Sequence, residues 1–145
     1  MDNRKIINDV LVHLFNEILQ LEEEAIITEE YKDITNNDMH IIEAVGLNGG
    51  KMSEIAAKLN ITVGSLTTSM NSLVKKGYTE RERSEHDRRV VYIYLTSKGR
   101  NAYHHHENFH NQMIDAILDK FSEEEIRVLS KTLVSLSEFF RQYKK

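Results

Sequence analysis

The chain has 145 residues, 40% hydrophobic and 29% charged, with no Cys, no Pro, 6 Gly and a formal net charge of −4. That length suits one domain with a sizeable core, and the lack of Cys excludes a disulfide framework and thiolate chemistry. No apolar run reaches the ~18 residues of a membrane span, and the opening MDNRKIINDV is not apolar enough for a signal peptide, so the cytoplasm is the expected compartment.

From Arg4 to about Ala25 apolar residues recur at Ile7, Val10 or Leu11, Leu14, Ile18 and Leu21, which predicts a long helix with a narrow stripe. TNNDMHIIEAVG opens on a capping-box pair, Thr35 and Asp38, and stops at Gly46, giving a second helix. MSEIAAKLN is a short third helix with Ile55, Ala56 and Leu59 inward. ITVGSLTTSMNSLVKKG is a fourth, capped by Thr62 and stopped at Gly77. Tyr78 to Arg83, a polar turn SEHD and then RRVVYIYLT read as a β-hairpin. Thr96 caps a fifth helix from Ser97 to about Lys120, and SEEE, with Ser122 and Glu125, is a capping box for the last. That last helix carries Ile126, Leu129, Leu133, Leu136, Phe140 and Tyr143 at nearly coiled-coil spacing.

The expected architecture is mainly α with a small β-hairpin wing. Residues 35–99 form a winged helix-turn-helix, and residues 1–34 and 100–145 form a helical dimerisation layer in one compact protomer. The reason is that a small central module cannot cover two such long apolar stripes. Charge agrees with this division. Residues 51–100 hold 10 Lys/Arg against 5 Asp/Glu, a local +5, whereas the remainder holds 9 against 18, or −9. A basic centre between acidic flanks points to a polyanion-binding module.

On the fourth helix Leu66, Met70, Leu73 and Val74 share one face. The opposite face holds Gly64, Ser65, Thr68, Asn71, Ser72 and Lys75 and has no carboxylate. Small hydrogen-bonding side chains suit a helix pushed into the major groove, where Ser65, Thr68 and Asn71 are placed to read base edges. Lys75, Arg81 and Arg83 are the expected phosphate contacts, and Arg88 and Arg89 lie at the hairpin tip and return, where Arg suits the minor groove or backbone. Asp87, two residues before Arg89, is expected to pair with it and orient its guanidinium. There is no Gly-rich phosphate loop and no Ser nucleophile elbow, so an enzyme is not expected.

The run DRRVVYIYLTSKG resembles the wing signature of the MarR family of winged helix-turn-helix regulators. The pattern is Asp-x-Arg, a strand, then Leu-Thr-x-x-Gly, here Asp87, Arg89, Leu95, Thr96 and Gly99. Helix order and length extend the resemblance over essentially the whole chain. It implies a homodimer on double-stranded DNA with a pseudo-palindromic operator, half-sites being about one helical turn apart. The stretch from Ile61 to Arg100, with MHIIEAVG at Met39 to Gly46, is more narrowly similar to the fatty-acid-biosynthesis repressors (FabT-like) of Firmicutes. That resemblance implies a repressor of type II fatty acid synthesis genes with long-chain acyl-acyl carrier protein as corepressor.

The histidines leave alternatives open. His106 and His110 are four apart on the fifth helix and share a face with Met113 and Ile117. With His40 they resemble zinc-sensing MarR regulators, in which a Glu late in the first helix completes the site. Here Glu22 to Glu24 are available, and Glu24 is the candidate. The other reading is hydrogen-bonded histidine near an acidic carrier protein or acyl pocket. His104 and His105 fall partly on the outer face and are expected to be solvated.

Overall fold

Capping chemistry decides where several of the helices begin. In the computed structural model, which describes residues 2–26, 28 and 30–143, the first helix α1 spans Asn3–Ile26 and α2 spans Asn36–Val45. Thr35 Oγ1 accepts from the Asp38 N–H at 3.0 Å and the Asp38 carboxylate accepts from the Thr35 N–H at 3.1 Å, the reciprocal box expected there. After the two-residue strand β1 (Gly50–Lys51) come α3 (Met52–Leu59) and α4 (Val63–Lys76). Thr62 caps α4 by accepting from the Ser65 N–H at 3.0 Å, and Gly77 ends it in the left-handed region at φ 88°. Asn60 makes the same left-handed exit from α3 at φ 56°, a conformation its short amide tolerates.

The hairpin strands are β2 (Thr79–Arg83) and β3 (Val91–Leu95), antiparallel, with Arg81 opposite Ile93 and Arg83 opposite Val91. β1 pairs on the far side of β3, so the sheet order is β1-β3-β2. The sequence pattern did not show β1, because two residues carry no alternation to read. Helices α5 (Ser97–Lys120) and α6 (Glu123–Tyr143) complete the chain.

The Leu-Thr-x-x-Gly end of the wing has a specific physical job. Leu95 is buried in the core. Thr96 donates its hydroxyl to the Gly77 carbonyl at 2.6 Å and accepts from the Gly99 N–H at 3.1 Å, tying the α4 exit to the α5 start. Gly99 lies so close to Tyr78 that a Cβ there would sit 2.0 Å from the Tyr78 carbonyl oxygen. Only glycine permits that approach.

The chain forms two compact units, residues 1–109 and 110–145, with α5 contributing to both. In the first, Met39, Ile41, Ile42 and Val45 of α2, Ile55 and Ala56 of α3, and Leu66, Met70 and Leu73 of α4 are buried with Tyr78, Ile93 and Leu95. Each such aliphatic side chain contributes about 1.5–3 kcal/mol through removal from water. Leu59 and Val74 pack against this cluster, in keeping with the predicted inward faces. On α1 only the last turns, at Glu22 and Ile26, are buried. In the second unit α6 has the expected box, Ser122 Oγ accepting from the Glu125 N–H at 3.2 Å and Glu125 accepting from the Ser122 N–H at 3.0 Å. It buries none of its residues within the chain. Among the described residues no helix is long and apolar enough to cross a membrane.

Candidate nucleic-acid interface

Helix α4 turns Leu66, Met70 and Leu73 fully inward and leaves Gly64, Ser65, Thr68, Asn71, Ser72 and Lys75 exposed, as its periodicity predicts. The hydroxyls on this face are already oriented. Thr62 donates to Ser65 Oγ at 3.0 Å, Thr67 donates to the Val63 carbonyl at 2.8 Å, and Thr68 reaches the Gly64 carbonyl at 3.4 Å. At the far end of the helix Lys76 leaves the face and pairs with Asp38 at 2.8 Å, which fastens α4 to the start of α2.

Strand alternation sets the wing against this helix. Thr79 is buried and its hydroxyl contacts Met70 Sδ at 3.4 Å, so the face of β2 bearing positions 79, 81 and 83 looks toward α4. Arg81 bonds through Nη2 to the Asn71 side-chain oxygen. Arg83 donates to the Arg88 carbonyl at 2.6 Å and so braces the tip from within. Arg88 and Arg89 occupy the turn at the tip, and both side chains are exposed. Asp87 accepts from Arg89 Nε at 3.0 Å, from Arg89 Nη2 at 3.1 Å and from the Arg89 N–H at 3.0 Å, which is the predicted pair in fork geometry. The side-chain bond from Arg89 is the main reason the Asp87 carboxyl lies below the usual carboxylate range. Glu80 and Glu82 face the other way.

Between α4 and the wing lies a groove of about 630 Å³, lined by Thr67 and Asn71, by Arg81, Arg83 and Arg89, and by Lys51, Met52 and Ser53 at the start of α3. Lys51, Ser53 and Thr67 were not among the predicted interface residues. Lys51 and Ser53 come to the groove because β1 joins the sheet, a pairing invisible in two residues. Thr67 could have been found, since it is exposed one turn before Asn71.

The histidine candidates need correction. Glu24 is exposed on α1, its carboxylate 3.5 Å from the Gln20 amide, and His40 is exposed on α2. The carboxylates beside His106 are instead Glu22, whose Oε1 is 3.2 Å from His106 Nε2, and Glu43, which bonds to the same nitrogen. His106 is 2% exposed. The helical stripe explains the exchange on α1. Leu11, Ile18, Glu22 and Ile26 fall on its more buried side, so Glu24, two residues from Glu22, points away. On α2, Glu43 lies one turn beyond His40. His110, the remaining candidate, follows His106 by one turn on α5 and is half-buried. His105 is also not solvated as expected. Its Nε2 is 2.9 Å from the Ala25 carbonyl, and its ring lies against Tyr31 with centroids 5.4 Å apart. His104 is exposed beside Glu107, as anticipated.

A recognition helix with an acid-free face, beside an arginine-bearing hairpin, is the geometry of a winged-helix DNA reader. Comparison with known proteins bears on the same point. Residues 24–106 match the family model described as transcriptional regulator SarA/Rot. A crystal structure of FabT from Streptococcus pneumoniae in complex with DNA is 41% identical, with a TM-score of 0.91 over 98% of this chain and 100% of that one. The transcriptional regulator AdcR of Streptococcus pneumoniae is 28% identical over 92% of this chain and 96% of its own length. The uncharacterized HTH-type transcriptional regulator YwhA of Bacillus subtilis is 24% identical over 95% of this chain and 100% of its own length. The chain belongs to the MarR and SarA/Rot family of winged-helix transcriptional regulators and is a DNA-binding protein of that class. These relatives are regulators rather than enzymes.

Proposed function

We propose that the chain works as a homodimeric repressor of type II fatty acid synthesis genes, with long-chain acyl-acyl carrier protein as corepressor. The full-length similarity to the DNA-bound FabT of Streptococcus pneumoniae, at 41% identity, carries this reading. In it Ser65, Thr68 and Asn71 read base edges in the major groove, Lys75 and Arg83 lie toward the phosphates, and the tip with Arg88 and Arg89 serves the minor groove. The Asp87 pair orients Arg89, and Gly64 lets the N-terminal end of α4 approach the backbone closely.

The dimer is supported by what the single chain leaves uncovered. On α1 Ile7, Val10, Leu14 and Leu21 are exposed, and on α6 so are Leu129, Leu133, Phe140 and Tyr143, the last to 77%. Residues 1–34 and 100–145 are accordingly the proposed dimerisation region. A pseudo-palindromic operator then matches the two-fold axis.

The test is fluorescence anisotropy on DNA from upstream of the host's fatty acid synthesis genes, over a salt series, with and without the acylated carrier. Binding that weakens steeply with salt and tightens with the acylated carrier is the expected result. Specific binding that ignores the carrier moves the weight to the second reading.

That reading is a zinc-responsive regulator, and one observation favours it. Glu22, Glu43 and His106 bring their ligand atoms within 4.8 Å of one another, two carboxylates converging on one imidazole nitrogen. Oxygen and imidazole donors of this kind suit zinc, and His110 stands one turn along the same helix. Zinc at one equivalent per chain by elemental analysis, lost in His106→Ala, would establish it. Tight operator binding unchanged by chelator would remove it.

A further inference from the structure

Arg81 carries a charge on the DNA-facing side of the wing, where a phosphate contact is the default role. Its bonding points to a second role. Its Nη2 is held by the side-chain oxygen of Asn71, in the middle of the exposed face of α4. Arginine has only donors, so the amide atom facing it must be the oxygen. The Asn71 Nδ2 group, with its two N–H bonds, is then the polar end left to point away from the wing. Both side chains leave backbone that lies beside fully buried residues. Arg81 sits opposite Ile93, which is fully buried, and Asn71 follows Met70, also fully buried. Two residues earlier, on the same strand face, Thr79 contacts Met70, so strand and helix already meet before Arg81 reaches across.

We infer that Arg81 is a positioning residue for base readout: it locks the Asn71 amide with its N–H groups outward, so that Asn71 selects a base edge rich in acceptors, guanine first. This rests on the reading of α4 as the major-groove helix. Guanine offers N7 and O6 side by side, whereas the cytosine edge offers an N4 donor that an outward N–H opposes. A freely rotating Asn71 would present oxygen or nitrogen about equally well and would discriminate poorly. The wing therefore contributes to sequence choice through the recognition helix and not only through its own tip.

The experiment is selection from a randomised DNA duplex library by the full-length protein, comparing wild type with Arg81→Ala, Arg81→Lys and Asn71→Asp. The salt dependence of binding to the enriched wild-type site is then measured. Wild type should enrich a palindrome with a purine, chiefly guanine, at one symmetric position per half-site. Arg81→Ala should enrich the same palindrome with that preference reduced roughly tenfold, the scale of one good base contact. The slope of log affinity against log salt should stay within about half a unit of wild type, since no phosphate contact is lost. Arg81→Lys, which keeps one donor toward Asn71, should restore most of the preference. Asn71→Asp keeps an acceptor for Arg81 but presents oxygen outward, so the preferred base should change rather than blur. If Arg81→Ala keeps every wild-type preference while the salt slope falls by about one, Arg81 is a phosphate contact and the inference is wrong. If wild type enriches no sequence at all, the reading of α4 as a DNA reader fails first and this inference falls with it.

Discussion

Residues 35–99 and the helix α6 treat their apolar side chains in opposite ways. In the winged module most large aliphatic residues of α2, α3 and α4 are buried, with Ile42, Leu66, Met70 and Leu73 at 0% exposure, and Val63 is exposed. Its polar side chains are tied down as well, by Asp38 to Lys76, Thr96 to Gly77 and Asp87 to Arg89. On α6 the apolar positions are just as regular in sequence, yet Val128, Leu129, Leu133, Val134, Phe139 and Phe140 all stand exposed. Periodicity alone does not tell these cases apart. A stripe that finds its partner within the chain makes a core, and one that does not marks a surface awaiting another molecule. The proposed second copy is the simplest partner, because it brings the same stripe.

The comparison breaks most sharply on α6. Replacing Leu129 and Leu133 together with Asp should cost about 3–6 kcal/mol of association, since each buried leucine contributes about 1.5–3 kcal/mol. Sedimentation velocity should show a dimer for wild type and a monomer for the double variant, and operator binding should weaken with it. Helical content should hold, because no residue of α6 is fully buried within its own chain and Leu129 and Leu133 are exposed. Equal sedimentation of the two proteins would show that this stripe is not the association surface.

The winged module should answer to a different insult. Gly99→Ala introduces a Cβ 2.0 Å from the Tyr78 carbonyl oxygen, which is backbone and cannot swing aside. Urea unfolding should lose about 3 kcal/mol of stability, at the upper end for overpacking. The control is Gly64→Ala, where the nearest neighbour of the new Cβ is Thr62 Oγ1 at an ordinary 3.9 Å. That substitution should leave stability unchanged or slightly higher, because alanine is the better helix former. Equal effects at the two glycines would mean that the α5 start is not pressed against Tyr78.

The fold was readable in the sequence wherever a local rule had no competitor. The caps at Thr35, Thr62, Thr96 and Ser122 each leave a backbone N–H two or three residues on that only a side chain can satisfy, so residue type and spacing suffice. The Asp87 and Arg89 pair was readable for the same reason, being two residues apart in a turn. What was not readable depended on contacts distant in sequence. Strand β1 exists only because β3 offers it an edge. Glu43 and Glu22 reach His106 from two other helices, and residue type alone does not distinguish Glu22 from Glu24, which points away. That Arg81 meets Asn71, ten residues away in the chain, likewise depended on the fold and on no local rule.

A smaller and more diagnostic effect sits where the winged module meets the segment before α2. Tyr78 is fully buried, and its hydroxyl donates to Asp33 at 2.6 Å while Lys98 lies 4.4 Å above its ring. That bond is the leading cause of a lowered Asp33 pKa, with the Lys98 charge helping. Burial, followed by the same bond, raises the Tyr78 pKa. Tyr78→Phe should cost about 1 kcal/mol near neutral pH, the scale of one such hydrogen bond discounted for an exposed carboxylate. The signs fix how that deficit varies with pH. A lowered carboxyl pKa gives stability that is present above the unfolded value, about 3.9, and is lost as pH falls through the folded one. A raised tyrosine pKa gives stability that is full below its unfolded value, about 10, and is lost as pH rises toward the folded one. The wild-type and Tyr78→Phe stability curves should therefore lie farthest apart between about pH 4 and pH 10 and converge on either side. Curves that stay parallel across the whole range would mean that the Tyr78 hydroxyl contributes by packing and not through Asp33.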